Sequence, residues 1–136
     1  MNSKSFKTQF LFNIESIVAP DGSKIKELVA TDTASMVHCT LSPGSISQAV
    51  RHKSVEELWF IIEGSGQFWR KNANDSTIVK IAKGTSLNIP KNVDFQFRND
   101  GNIELVAIIV TIPPWRGNNE AITSKGPCEV RNLQYI

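Results

Sequence analysis

Residues 44–64 read GSISQAVRHKSVEELWFIIEG, and the last eight of them decide the fold. From Glu57 to Glu63 nearly every position is aliphatic or aromatic, with no apolar spacing at i, i+3, i+4 and i+7 sustained over three turns. A short run of this composition is a strand rather than a helix. Successive strand side chains point to opposite faces, so Glu57, Trp59 and Ile61 share one face. The same alternation brings Gln48, Val50 and His52 to one face just upstream. Gly64-Ser65-Gly66 then supplies the positive φ values that a tight hairpin needs. Ser45 to Val55 is the nearest thing to a helical segment, and it is too polar to be one.

Working outward, the same kind of segment recurs on both sides. Upstream, Asp21-Gly22 precedes a run from Lys24 to Ala30, and Met36 to Leu41 is closed by Pro43-Gly44. Downstream come Gln67 to Lys71, Thr77 to Ala82, Leu87 to Ile89, Phe95 to Arg98 and Ile103 to Ile112. Between them lie Asn72 to Asp75, Lys83-Gly84, Pro90 and Asn99-Asp100-Gly101, the last read as a second hairpin turn. Turns at roughly 8–12-residue spacing are the rhythm of a β-sandwich or β-barrel. Beyond Pro113-Pro114 the chain becomes irregular, and Trp115 and Tyr135 are expected to anchor it. Phe60, Phe68 and Trp69 are assigned to core packing.

Composition narrows the function. At 136 residues there is room for one domain with its own core. The net charge is +2, and no basic cluster or stripe is present, so nucleic acid is not an expected partner. The longest apolar stretch, Leu105 to Val110, is far below the roughly 20 residues of a membrane helix, and no signal-peptide core follows Met1. Cys39 and Cys128 are spaced neither as a metal pair nor as a redox motif, and reduced thiols in the cytoplasm are expected. There is no Gly-x-Ser-x-Gly and no phosphate-binding glycine loop.

Two stretches resemble the motifs of the cupin superfamily. Its first motif runs Gly, five residues, His-x-His, three or four residues, Glu, six residues, Gly. Gly44, His52, Glu57 and Gly64 fall in register with it, and Val50 stands where the first histidine belongs. The second motif runs Gly, five residues, Pro-x-Gly, two residues, His, three residues, Asn. Residues 84–99, GTSLNIPKNVDFQFRN, match it at Gly84, Pro90 and Asn99. Asn92 replaces the middle glycine, a substitution compatible with left-handed φ, and Phe95 replaces the histidine. The resemblance implies an all-β double-stranded β-helix, or jelly roll. It covers about residues 24–112 of a single domain spanning residues 1–136, with an N-terminal strand segment and a C-terminal tail packed on that core.

The intact family holds a divalent metal with three histidines and one glutamate, so the resemblance also implies where a metal would sit. Val50 and Phe95 have no lone pair to donate, and the chain has only two histidines, His38 and His52. No cofactor is expected; if a divalent metal bound, His52 and Glu57 would hold it. A triad of His38, His52 and Glu57 completes that alternative, that of an oxygenase or isomerase, and it requires His38 to point inward. The favoured reading places His38 partly buried on a strand. The expected ligand pocket comprises Gln48, Val50, His52, Glu57, Trp59, Phe95 and Phe97, and its expected partner is a small organic molecule. His52 and Glu57 are also the candidate catalytic pair. Asp94, beside the lost histidine position, is read as a surface turn residue. A homodimer is expected, with the apolar run Glu104 to Ile112 and Phe6, Phe10 and Phe12 covering exposed strand edges.

Overall fold

The computed structural model describes residues 5–128. Its strands are β1 (Ile17–Val18), β2 (Lys24–Ala30), β3 (Ser35–Leu41), β4 (Val50–His52), β5 (Glu56–Glu63), β6 (Ser65–Lys71), β7 (Ser76–Ala82), β8 (Ser86–Ile89), β9 (Asp94–Asn99), β10 (Leu105–Ile112) and β11 (Ala121–Thr123). Two single 3-10 turns, Leu11–Asn13 and Asn118–Glu120, are the helical elements among the described residues. The strands form two antiparallel sheets, in the orders β1-β2-β3-β10-β5-β8 and β11-β4-β9-β6-β7. The sheets face each other as a jelly roll, and their hydrogen bonds do not join them into one closed barrel. Tyr135 lies outside the described residues.

Both expected hairpins at glycine-rich turns are corrected by this topology. β5 pairs with β8 and β10, whereas β6 pairs with β7 and β9. Gly64 therefore carries the chain from one sheet to the other. Its φ is +82°, and a Cβ there would stand 2.5 Å from the Glu104 carbonyl oxygen. Asn99-Asp100-Gly101 likewise joins β9 to β10 across the sheets. Asn99 is buried, donates its amide to the Leu41 and Ile103 carbonyls, and accepts from the Gly101 N–H. The turn expected at Asn72 to Asp75 forms and closes the β6–β7 hairpin: the Asn72 side chain accepts from the Asn74 and Asp75 amides. Asn92 takes the left-handed conformation, with φ 65°.

The core lies between the two inner faces. On β5 burial alternates strictly, with Glu57, Trp59 and Ile61 inside and Glu56, Leu58 and Phe60 outside. Phe60 is thus half-exposed on the outer face rather than in the core. Phe68 is stacked between Phe95 and Phe97, and Trp59 meets all three rings edge-on at 5.0–6.2 Å. Each such pair adds about 0.5–1.5 kcal/mol beyond its buried area. Trp69 is buried on the other face of β6, where its indole donates to the Ser76 hydroxyl. β10 is not an edge strand: β3 and β5 bond to both of its sides. Its apolar run fills the middle of a sheet, so it is not free to cover one.

Candidate functional site

The site forms where β4 and β9 of one sheet face β5, β10 and β3 of the other. Val50 and Phe95, the two hydrocarbon replacements, are direct cross-strand partners on β4 and β9. Two residues on, His52 keeps the parity of Val50 and points inward, buried. Across the gap Glu57 opens the inward series of β5 and is also buried. His52 Nδ1 lies 3.8 Å from Glu57 Oε2, too far for a hydrogen bond. The Trp59 indole donates to Glu57 Oε1 at 3.0 Å, and the Thr111 hydroxyl donates to Oε2 at 3.2 Å. Thr111 is the cross-strand partner of Glu57 on β10.

These groups line a cavity of about 490 Å³. Val50, His52, Glu57, Trp59 and Phe95 are all on its wall. Gln48 and Phe97, expected there, are not. Gln48 precedes β4, where the chain is irregular and strand parity does not apply; its amide donates to the Ala49 and Ser124 carbonyls instead. Phe97 does face inward, but one step deeper along β9, where Trp59 and Phe68 enclose it. Asp94 begins β9 and points away from the cavity, 4.0 Å from Arg51 across the strand pair.

Sequence reasoning missed several residues of this wall. Trp115, placed in the tail, lies edge-on to His52 with ring centroids 5.0 Å apart, while Phe95 meets the imidazole from another side at 5.2 Å. Asp21, read as a turn residue, is buried and accepts from the Ser23 amide and hydroxyl at 2.9 and 2.6 Å. The buried Cys39 thiol donates to the Ser23 hydroxyl. Asp21, Ser23 and Cys39 all line the cavity. The Pro113-Pro114 pair before Trp115 marked a change of direction, but nothing local showed that it leads back to β4.

Burial sets the electrostatics. It pushes the Glu57 carboxyl up from 4.5 to about 7, against the hydrogen bond from Trp59, with the Asp21 charge reinforcing the rise and Thr111 opposing it. Burial pushes His52 down from 6.5 to about 4, against the pull of the Glu120 carboxylate. The usual order is reversed: near neutral pH the imidazole is uncharged while the carboxyl is only partly ionised. Burial also raises Asp21, against its bonds from Ser23, and pushes the Cys39 thiol upward. For Glu120 burial opposes ionisation, but the bonds from the Ser54 hydroxyl and the Ser54 and Val55 amides outweigh it and hold the carboxylate below its ordinary range.

Residues 37–111, more than half of the chain, match the family model described as a cupin domain. The chain is a cupin. It is 26% identical over 117 residues to the uncharacterized protein MJ1618 of Methanocaldococcus jannaschii, an alignment covering 82% of this chain and 90% of that one. A Klebsiella pneumoniae protein with a double-stranded β-helix domain superposes with a TM-score of 0.63 at 14% identity, covering 76% of this cupin and 85% of that chain. Bacillus subtilis oxalate decarboxylase superposes at 0.72 with 14% identity, covering 89% of this chain but only 34% of the decarboxylase. At such identities the likeness is one of fold.

The metal set that the family implies does not fit this cupin. His38 lies on the outer face of β3, between Lys26 and Ile108, while Cys39 on the opposite face reaches the cavity. The triad of His38, His52 and Glu57 is thereby excluded by strand parity. Among the described residues, no three His, Cys, Asp or Glu side chains converge closely enough to hold an ion. In the described residues no helix is long and apolar enough to cross a membrane.

Proposed function

We propose that this cupin binds a small organic ligand in its cavity, gripped by His52 and Glu57 without a coordinated metal. One observation carries the reading: His52 Nδ1 is buried on the cavity wall and has no hydrogen-bond partner. A buried polar atom left unpaired costs about 1–3 kcal/mol. A ligand atom bridging Nδ1 and Glu57 Oε2 would recover that cost. The surroundings support the same reading: hydrocarbon occupies the two lost ligand corners, and a cavity of about 490 Å³ is within the usual range of small-molecule sites.

Metal analysis of protein purified from medium supplemented with Mn, Fe, Ni, Cu and Zn tests it directly. The expected result is well under one ion per chain, unchanged in His52→Ala. A stoichiometric ion lost in His52→Ala or Glu57→Ala would replace this reading with that of a metal-dependent enzyme.

A further inference from the structure

Resting on that reading, we infer the chemical class of the ligand: an organic cation, a primary or secondary ammonium carried on an apolar body. The wall of the cavity is acidic. The buried Asp21 and Glu57 and the solvent-exposed Glu27 line it, and no lysine or arginine does among the described residues. Asp21 and Glu57 are both buried, and the Asp21 charge acts on Glu57 and on Cys39. Without a cation beside them, these buried carboxyls carry a desolvation cost that their bonds from Ser23, Trp59 and Thr111 offset only in part. An anionic ligand would add to that cost, whereas a cationic one removes it.

The second observation is geometric. The His52 side chain is 8% exposed, and its Nδ1 is unpaired. Glu57 Oε2 lies 3.8 Å from that nitrogen, and burial keeps the imidazole uncharged at neutral pH. With its proton on Nε2, the imidazole presents a lone pair at Nδ1. An N–H-bearing cation seated between the two side chains donates one hydrogen to Nδ1 and another to the carboxylate, both charge-assisted. Trp115 and Phe95 flank the same imidazole, and aromatic rings near a desolvated ammonium add to its binding. Val50, Ile25 and Ile109 offer apolar wall for the rest of the molecule.

Three probes of one shape separate the possibilities by calorimetry: benzylamine, benzyl alcohol and benzoate. At about pH 8, benzylamine is expected to bind at least about tenfold more tightly than benzyl alcohol, roughly the difference one charge-assisted bond makes, with benzoate undetectable. Lowering the pH to about 5.5 leaves the amine charged but protonates Glu57, and should weaken benzylamine alone. The groups facing Glu57 are His52, Trp59, Thr111, Asp21 and Cys39; of these Asp21, also raised by burial, acts in the same direction. Glu57→Gln should cut benzylamine affinity about tenfold, spare benzyl alcohol and reduce the pH effect to the part that Asp21 carries. Asp21→Asn is a second variant should Glu57→Gln fold poorly, with a smaller loss in the same direction. Benzyl alcohol or benzoate binding as tightly as the amine would overturn the cation while leaving an organic-ligand site intact. Failure of all three to bind would also overturn it, and the metal analysis would then judge the parent reading separately.

Discussion

His52 and Glu57 titrate in opposite senses, and the fold feels both. Glu57 binds its proton more tightly when folded, so its contribution to stability is full below about pH 4.5 and is lost as pH rises through about 7. His52 binds its proton less tightly when folded, so its contribution is full above about pH 6.5 and is lost as pH falls toward 4. Each is on the order of 3 kcal/mol, and between about pH 4.5 and 6.5 they offset each other. Glu57→Gln should therefore make the protein lose stability on acidification through that window, relative to wild type. His52→Gln should make it lose stability as pH rises from about 4.5 to 7. Urea unfolding at a series of pH values measures both; identical pH profiles for wild type and Glu57→Gln would mean that this carboxyl is not linked to folding. The four residues 50, 52, 57 and 95 were legible from motif spacing and strand parity alone. Gln48 and Phe97 were placed by the same parity and missed, because parity ends where the strand ends and says nothing about depth.

At the level of elements, the segment after β10 closes one side of the cavity. Glu120 fixes it: its carboxylate accepts from the Ser54 hydroxyl and from the Ser54 and Val55 amides, and β11 then pairs Ala121 with His52. Glu120→Ala would leave the buried Val55 amide without its acceptor and would free the exposed Ser54 amide and hydroxyl to water. A loss of about 1–3 kcal/mol is expected, together with increased exposure of Trp115, read from its fluorescence maximum against a Trp59→Phe, Trp69→Phe background. An unchanged melting temperature would show that the clamp is dispensable. Gly66 makes a different demand. A Cβ on it would come within 1.9 Å of the Arg98 carbonyl oxygen, so Gly66→Ala must push β6 from β9. Destabilisation by about 3 kcal/mol is expected in thermal or urea melts. The strands from β2 to β10, apart from the short β4, were visible as β-branched and aromatic runs. Of the short strands, β4 was read only as the alternation of Val50 and His52 and β1 only as an unbounded N-terminal strand segment, while β11 was not seen, since so short a stretch carries little periodicity.

At the scale of the whole molecule, an apolar surface lies open among the described residues. On the outer face of the six-stranded sheet, Met36, Val110 and Leu58 form one cross-strand row, and His38, Ile108 and Phe60 the next. Leu58 and Phe60 are about half exposed, and Ile62 continues the line along β5. A patch of this kind on a flat sheet face pairs readily with a second copy of itself about a two-fold axis. A homodimer is thus expected, held by this face, to which β10 contributes Ile108 and Val110, rather than by the run Glu104 to Ile112 covering strand edges. Sedimentation equilibrium at low micromolar concentration should give twice the 15.1 kDa chain mass, and Phe60→Lys should halve it. A wild-type monomer would sink the idea.

By itself the sequence determined the all-β class, the cupin frame, the loss of two metal-ligand positions to Val50 and Phe95, and the shared cavity of His52 and Glu57. The class and the shared face follow from period-two alternation, a local property of a strand, and the frame and the lost ligand positions from the resemblance to the two cupin motifs. Only the tertiary structure decided that the glycine turns change sheets, that His38 faces outward, and that Asp21, Cys39, Thr111 and Trp115 meet at the same cavity. Those depend on which strands pair and where the tail returns, and pairing is settled by burial across the whole core rather than by any one segment.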